Sequence, residues 1–167
     1  MGTKGKSLVG LNVEELLTQL NRALADEWLA YYQYWIGARL VAGPMRSEAE
    51  RELSEHATEE LHHAELLAAR ILLLDGTPVL DPHEWGKLAN CSYLKPTDPY
   101  VKAVLQQAVV GERCAIDVYS RLLASTKDKD PLTSDLALAL LGDEARHEEE
   151  FEALLQDLEL LEKRRSS

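Results

Sequence analysis

The chain has 167 residues, 46% of them hydrophobic, so it is long enough to form one domain with a buried core. Its 29 acidic residues outnumber its 18 basic residues, and the resulting net charge of −11 argues against general affinity for nucleic acids or anionic membranes. No apolar run reaches membrane-spanning length and the first residues lack the apolar core of a signal peptide, so we expect a cytoplasmic protein.

The first residues differ in composition from the rest of the chain. Residues 1–10 are rich in Gly, Lys and Ser, and we expect them to form a flexible tail before a single folded domain spanning residues 11–164. Hydrophobic residues then recur at helical spacing, which predicts a first helix with Asn12 as its N-cap. Gly43 and Pro44 interrupt this pattern and predict the end of the helix.

The next segment predicts a second helix followed by a long connection. Ser47 and Glu50 have the spacing of a capping box, which predicts a helix start, and the helix is expected to end at Gly76. Proline, glycine and polar residues interrupt residues 77–97, so this stretch is predicted to be a long connection, with a short helical turn near Trp85.

Two Asp-Pro pairs predict the starts of the last two long helices, at Asp98-Pro99 and at Asp130-Pro131. Each of the four helices would contain about 30 residues and measure roughly 45 Å. Two short connections and one long one favour an all-α four-helix bundle, built from two antiparallel helix hairpins joined by a long crossover connection.

Four glutamates occupy positions on the apolar stripes of these helices, where Leu or Ala would be expected. They are Glu27, Glu60, Glu112 and Glu144, and the second and fourth are followed three residues later by His63 and His147. Each glutamate lies about 13 to 15 residues from its helix start, or roughly 20 Å along the axis. In antiparallel helices of similar length, the four carboxylates are therefore expected to meet near the middle of the bundle.

Four ionised carboxylates in a dry core would strongly destabilise the fold unless cations compensated them. Two divalent cations would balance four negative charges, and His63 and His147 would each supply a nitrogen to one ion. Oxygen ligands with one histidine per ion suit iron or manganese. Glu59 and His62 have the same spacing but point further round the helix, so we favour Glu60 with His63.

Other side chains near these positions are candidates for supporting roles. Glu59 and Asp143 each precede a glutamate of the set by one residue and are candidate partners for the imidazole N–H groups. Tyr34 and Tyr119 each follow a glutamate of the set by about two helical turns, so either phenol could hydrogen-bond a carboxylate or pass an electron. For Tyr119 a packing role is favoured, and His56 is expected to be an ordinary surface residue.

Three segments resemble the helices of bacterioferritins, which belong to the ferritin-like superfamily. Residues 59–80, EELHHAELLAARILLLDGTPVL, resemble their second helix and the turn after it. Residues 27–34, which end in a Gln-Tyr pair, resemble their first helix, and residues 143–147 resemble their fourth. The resemblance implies a di-iron ferroxidase whose ligands are Glu27, Glu60, His63, Glu112, Glu144 and His147.

The sequence also departs from bacterioferritins. Leu61 stands where bacterioferritins carry a haem-ligating methionine, so no haem is expected. Cys91 and Cys114 are foreign to bacterioferritins and resemble the cysteine pair of the Dps-like proteins called thioferritins, which form twelve-subunit cages. That resemblance implies a homo-oligomer, a cage of twelve subunits, that binds two iron ions per subunit, with manganese as the alternative metal. It would oxidise Fe(II) with hydrogen peroxide in preference to O2 and store the ferric product.

The cysteine positions are compatible with a redox role. Cys114 lies two residues after Glu112, and a disulfide with Cys91 would pin the long connection against the third long helix. We expect the two thiols to pair under oxidising conditions, and two unrelated buried thiols are the alternative. Together with Tyr34, the cysteines are the candidate catalytic residues.

Two other functions are compatible with parts of the sequence. A manganese catalase uses similar ligands and would release O2 without net oxidation of the metal. A non-enzymatic cage protein that protects DNA is the other alternative. The acidic composition, and an N-terminal tail with only Lys4 and Lys6 as basic residues, make nucleic acid an unexpected partner.

Overall fold

The computed structural model describes residues 7–165, and this part of the chain forms helices without any β-strand. The five α-helices are α1 (Val13–Leu40), α2 (Arg46–Leu73), α3 (Trp85–Leu88), α4 (Val101–Thr126) and α5 (Pro131–Arg165), with a 3-10 turn at Pro82–Glu84 before α3. Helix α1 packs along α2, and α4 packs along α5, which confirms the predicted four-helix bundle of two hairpins. None of the described helices is long and apolar enough to cross a bilayer.

The first long helix begins where the sequence predicts. Residues 1–6 of the predicted tail lie outside the described residues, while the Gly10 N–H donates to the Lys129 carbonyl at 2.7 Å. The Asn12 side chain caps α1 by accepting the N–H groups of Glu14 and Glu15 at 3.0 and 3.4 Å. The predicted N-cap is therefore confirmed.

The start of α2 differs from the prediction. Helix α1 ends at Leu40, and α2 begins at Arg46 after Met45, a left-handed N-cap residue with φ 58° whose side chain makes no capping hydrogen bond. Gly43, at φ 110°, also adopts the left-handed conformation that favours glycine. These two residues reverse the chain early enough to place Ser47 inside the first turn, so the capping-box prediction was wrong.

The start of α4 also differs from the prediction, whereas that of α5 agrees with it. Tyr100 is the N-cap of α4, and Asp98 accepts its N–H at 2.9 Å from just outside the helix. The Ala42 carbonyl accepts the Val101 N–H at 2.9 Å, so pairing with the loop after α1 holds Tyr100 extended and delays the helix. Asp130 caps α5 as predicted, because its carboxylate accepts the Thr133 N–H at 3.3 Å.

The crossover connection runs along α1 from the end of α2 to the start of α4. The Asn21 side chain accepts the Val79 N–H at 2.7 Å, and the Gln33 side chain accepts the Leu94 N–H at 2.9 Å. Between these two points Asp26 binds the backbone of residues 90–91. Polar side chains of α1 thus hold the connection beside the middle of the bundle.

The core consists of two apolar clusters. One contains Leu20, Leu67 and Tyr119, and the other contains Leu53 and Phe151, together with their buried neighbours. None of the six predicted metal ligands belongs to either cluster, although all six are buried. The polar residues therefore occupy the region of the bundle between two apolar layers.

Candidate metal centre

The six side chains predicted as metal ligands converge inside the bundle. Each is at most 2% exposed, and we call them the carboxylate–histidine cluster: Glu27, Glu60, His63, Glu112, Glu144 and His147. Helix α1 supplies one residue, α2 two, α4 one and α5 two. Each hairpin therefore contributes a lone glutamate and a Glu-x-x-His pair, as the sequence predicts.

The cluster divides into two groups that share two carboxylates. Glu27, Glu60, His63 and Glu144 each offer a ligand atom such that all four atoms lie within 4.8 Å of one another. Glu60, Glu112, Glu144 and His147 do the same. Glu60 and Glu144 belong to both groups, so each of these carboxylates could contact two cations, whereas each of the other four residues could contact one.

Several buried atoms of the cluster make no hydrogen bond. They are Glu27 Oε2, Glu60 Oε1, both carboxylate oxygens of Glu144 and His147 Nδ1. Buried polar atoms without partners are costly, so a bound cation would satisfy what the protein leaves unsatisfied. The donor set of oxygens with one imidazole nitrogen per ion fits iron or manganese.

The outer nitrogens of the two histidines pair with carboxylates of the opposite hairpin. His147 Nε2, on α5, lies 2.7 Å from Glu59 Oε2 on α2. His63 Nε2, on α2, lies 3.4 Å from Asp143 Oδ2 on α5. Arg146 also donates to Glu59 at 2.6 Å. Each carboxylate can accept a hydrogen bond from the Nε2–H group, which leaves Nδ1 free to bind a metal. Glu59 and Asp143 thus lie beside the imidazole groups, as the sequence predicts.

Two buried tyrosines donate hydrogen bonds to glutamates of the cluster, and each bond joins one hairpin to the other. Tyr34 on α1 donates to Glu112 Oε1 on α4 at 2.5 Å, and Tyr119 on α4 donates to Glu27 Oε1 on α1. Burial first, and then the neighbouring carboxylates, raise the pKa of both phenols well above its ordinary value, so both remain donors. Tyr119, for which packing was favoured, therefore contacts the cluster just as Tyr34 does.

A disulfide lies beside the cluster. Cys91 in the connection is bonded to Cys114 on α4, with 5.9 Å between the Cα atoms. Asp26 Oδ1 accepts the N–H groups of Asn90 and Cys91 at 2.7 and 2.8 Å, which fixes the connection at this point. A cavity of about 30 Å³ is lined by Cys91 together with side chains of the cluster, including Glu112.

Two residues near the cluster were not recognised from the sequence. His56 is 1% exposed and its ring stacks on His147 at 4.1 Å, so the expectation of a surface histidine was wrong. Its position four residues before Glu60, on the same helix face, could have indicated that His56 is buried. The contact of Asp26 with residues 90–91 had no such signal, because it joins segments more than sixty residues apart.

Without metal, the cluster holds protons that a cation would displace. Burial first, and then the negative charge of Glu60, raise the pKa of Glu27 and of Glu112 well above the ordinary value. Burial opposes ionisation of Glu60 as well, but the nearby imidazoles of His147 and His63 hold its pKa below its usual range. Burial also opposes charging of His147, yet the nearby carboxylates of Glu144 and Glu60 raise its pKa to about 11.

We expect the unfolding free energy of the metal-free protein to fall as pH rises from about 7 to about 10. Glu27 and Glu112 keep protons in the folded state that the unfolded chain has already lost, so rising pH favours unfolding. The raised pKa of His147 has the same sign, because the stability it contributes below its unfolded pKa is lost on approach to about pH 11. Denaturant unfolding in the presence of a chelator measures this dependence.

The control is the Glu27→Gln, Glu112→Gln double variant, whose metal-free form should show a flatter pH dependence. Adding Mn(II) to the unaltered protein should oppose the decline, because metals bind more tightly as competing protons leave. A metal-free protein that became more stable across this pH range would contradict the protonation states given above.

Comparison with known proteins places this geometry in a family. A family model described as ferritin-like domain matches residues 17–161. The structure of a dodecameric thioferritin, the bacterioferritin-related protein of Bacteroides fragilis, is 46% identical with a TM-score of 0.91, covering 92% of each chain. The DNA protection during starvation protein of Pyrococcus furiosus is 41% identical over 149 residues, 87% of this chain and 80% of the relative. Brucella melitensis bacterioferritin is 32% identical over 151 residues, or 89% of this chain and 86% of the relative. The chain therefore belongs to the ferritin-like family.

Proposed function

We propose that the protein is a ferroxidase that oxidises Fe(II) and stores the ferric product. The observation that carries this proposal is the pair of adjacent four-ligand groups sharing Glu60 and Glu144. Iron is the substrate and the cargo of this reaction. Two neighbouring ferrous ions each give up one electron, and these two electrons, with two protons from solvent, reduce one molecule of hydrogen peroxide to two waters.

The residues of the chain have distinct roles in this proposal. Glu60 and Glu144 hold both ions, while Glu27 with His63 and Glu112 with His147 complete one group each. The hydrogen bond from Tyr34 to Glu112 orients a terminal carboxylate and places a phenol beside the ions, where it can also carry an electron. Burial of the whole cluster limits the access of water and of competing ions.

The cavity next to the disulfide is the proposed site of the oxidant. Its volume of about 30 Å³ suits one or two molecules the size of water, and peroxide is of this scale. Its lining includes Glu27, Glu60, Glu112 and Glu144 on one side and Cys91 and Tyr93 of the connection on the other. A small oxidant in this cavity would lie against the carboxylates of both ion groups.

We further propose that the chain assembles into a homo-dodecameric cage with the ferric iron inside. The support is the relative from Bacteroides fragilis, which is described as dodecameric and matches this chain along 92% of its length. Large apolar side chains such as Tyr32, Trp35, Leu72, Leu73 and Leu80 are exposed on the single chain and are available for contacts between subunits.

The proposed function is tested by loading the metal-free protein anaerobically with Fe(II) and then adding hydrogen peroxide. Ferric absorbance, dissolved O2 and the iron that co-elutes with protein on a sizing column are followed together. We expect rapid oxidation and many irons per assembly, both lost in Glu112→Ala and both retained in Glu149→Ala, an exposed site on α5. Abundant O2 with little retained iron would instead indicate a catalase, with manganese the next metal to test.

We also propose that the disulfide forms reversibly and stabilises the wall of the cavity. Because it joins residues 23 apart in the sequence, it should contribute about 3 kcal/mol to the unfolding free energy. Reduction, or the variant Cys114→Ala, should remove this contribution and speed amide exchange at residues 90–94. Thiol titration should find no free thiol after peroxide treatment and two after reduction. Two free thiols remaining after peroxide would contradict the proposal.

A further inference from the structure

We propose that Glu52, His56 and Glu150 form a third divalent-cation site, from which ions pass to the His147 side of the cluster. The second half of this proposal rests on the proposed function, whereas the first does not. His56 Nε2 lies 2.9 Å from Glu150 Oε2 and 3.6 Å from Glu52 Oε1. Each of the three residues offers a ligand atom such that all three lie within 4.8 Å of one another.

The burial of these side chains is graded from outside to inside. The side chain of Glu150 is 31% exposed, that of Glu52 is 16% exposed and that of His56 is 2% exposed. An ion arriving from solvent therefore meets carboxylate oxygens first and a buried imidazole behind them. Two carboxylates and one imidazole form a donor set that suits Fe(II), Mn(II) or Co(II).

His56 lies between the outer carboxylates and the carboxylate–histidine cluster. Its ring stacks on His147 with 4.1 Å between ring centres, and one of its nitrogens groups with ligand atoms of Glu112 and His147 within 4.8 Å. Its Nδ1 is buried and makes no hydrogen bond. The His56 imidazole thus belongs both to the group with Glu52 and Glu150 and to a group with Glu112 and His147, which are members of the carboxylate–histidine cluster.

The charges around the outer site leave room for a cation. Burial and then the negative charge of Glu150 raise the pKa of Glu52, and a cation bound between the two carboxylates would favour the ionised form. Arg146 Nη1 lies 3.3 Å from Glu150, but the same guanidinium also pairs with Glu59 at 2.6 Å. Arg51, which also lies near Glu52, is 65% exposed and pairs with Glu55 at 4.0 Å. Two shared, solvent-exposed arginines therefore do not neutralise Glu52 and Glu150.

Anaerobic Co(II) binding tests the site without any oxidation. Equilibrium dialysis should show one Co(II) fewer per chain in the Glu52→Gln, Glu150→Gln double variant than in the unaltered protein. The matched control, Glu149→Gln with Glu159→Gln, removes two exposed carboxylates from α5, the helix that carries Glu150, and should retain the full number. In crystals of the Co(II)-loaded protein, anomalous scattering should show a peak between Glu52, His56 and Glu150 that the double variant lacks.

The outcomes separate this proposal from the proposed function. Anomalous peaks at the carboxylate–histidine cluster without a peak between Glu52, His56 and Glu150 would overturn the third site. Equal Co(II) binding by the double variant and its control would also overturn it. A peak between Glu52, His56 and Glu150 without peaks at the carboxylate–histidine cluster would refute the two-ion centre and support the third site. Transfer is tested by stopped-flow oxidation at less than two Fe(II) per chain, where the double variant should be slower but reach the same final ferric absorbance. Equal rates would refute the transfer step.

Discussion

Replacing Glu60 with glutamine is expected to abolish both ferrous oxidation and the binding of two ions at the carboxylate–histidine cluster. The Glu60 carboxylate belongs to both ligand groups, and a neutral amide cannot bridge two cations. Loss of a partner outside the ligand set commonly costs about 10- to 100-fold in metal affinity or activity, so loss of a bridging ligand should cost about 100-fold or more. The initial rate of Fe(II) oxidation and Co(II) stoichiometry measure the two effects.

Two neighbouring glutamates on α2 provide matched comparisons. Glu59→Gln alters the hydrogen bond to His147 without removing a ligand, and it should reduce the rate by about 10- to 100-fold while two ions still bind. Glu65→Gln changes a side chain that is 71% exposed and should behave like the unaltered protein. Oxidation at the normal rate by Glu60→Gln would rule out a shared bridging carboxylate.

Replacing Asp130 with alanine is expected to lower the unfolding free energy by about 3–5 kcal/mol. Asp130 Oδ2 accepts from Arg70 Nη2 at 2.7 Å and from the Thr133 hydroxyl at 2.5 Å, and Arg70 Nε donates to that hydroxyl at 2.7 Å. Asp130 is 0% exposed and Arg70 is 4% exposed. The substitution would leave a buried guanidinium without its counterion and remove the cap of α5.

Denaturant unfolding of metal-free protein at one fixed concentration measures this effect, because assembly makes stability depend on concentration. Asp135→Ala, an exposed change on the first turns of the same helix, should shift the free energy by no more than about 0.5 kcal/mol. A loss below about 1 kcal/mol in Asp130→Ala would show that the ion pair with Arg70 is dispensable.

The helices and the cluster could be predicted because both depend on local periodicity. An apolar stripe identifies the buried face of a helix, and a glutamate on that stripe stands out, as Glu27 and Glu112 do. Distance from a helix start then places such residues at similar heights. Tertiary contact overrode local signals at the helix starts, where Ser47 and Asp98 have suitable side chains but turn geometry and strand-like pairing set the first residue.

The remaining features depend on contacts that sequence spacing does not encode. The burial of His56 follows from packing against α5, which supplies both His147 and Glu150. The attachment of the connection by Asp26 joins segments with no common periodicity. The crossed pairing of Glu59 with the histidine of the other hairpin depends on how closely α2 approaches α5.

The two hairpins make equivalent contacts with each other around the carboxylate–histidine cluster. Tyr34 of the first hairpin binds a carboxylate of the second, and Tyr119 of the second binds a carboxylate of the first. Glu59 and Asp143 exchange histidine partners in the same manner. Each hairpin therefore carries a lone glutamate and a Glu-x-x-His pair, whereas the tyrosine and the carboxylate that contact these residues come from the other hairpin. The four crossed contacts are those expected of one hairpin paired with its own copy, so gene duplication followed by fusion would preserve all four of them.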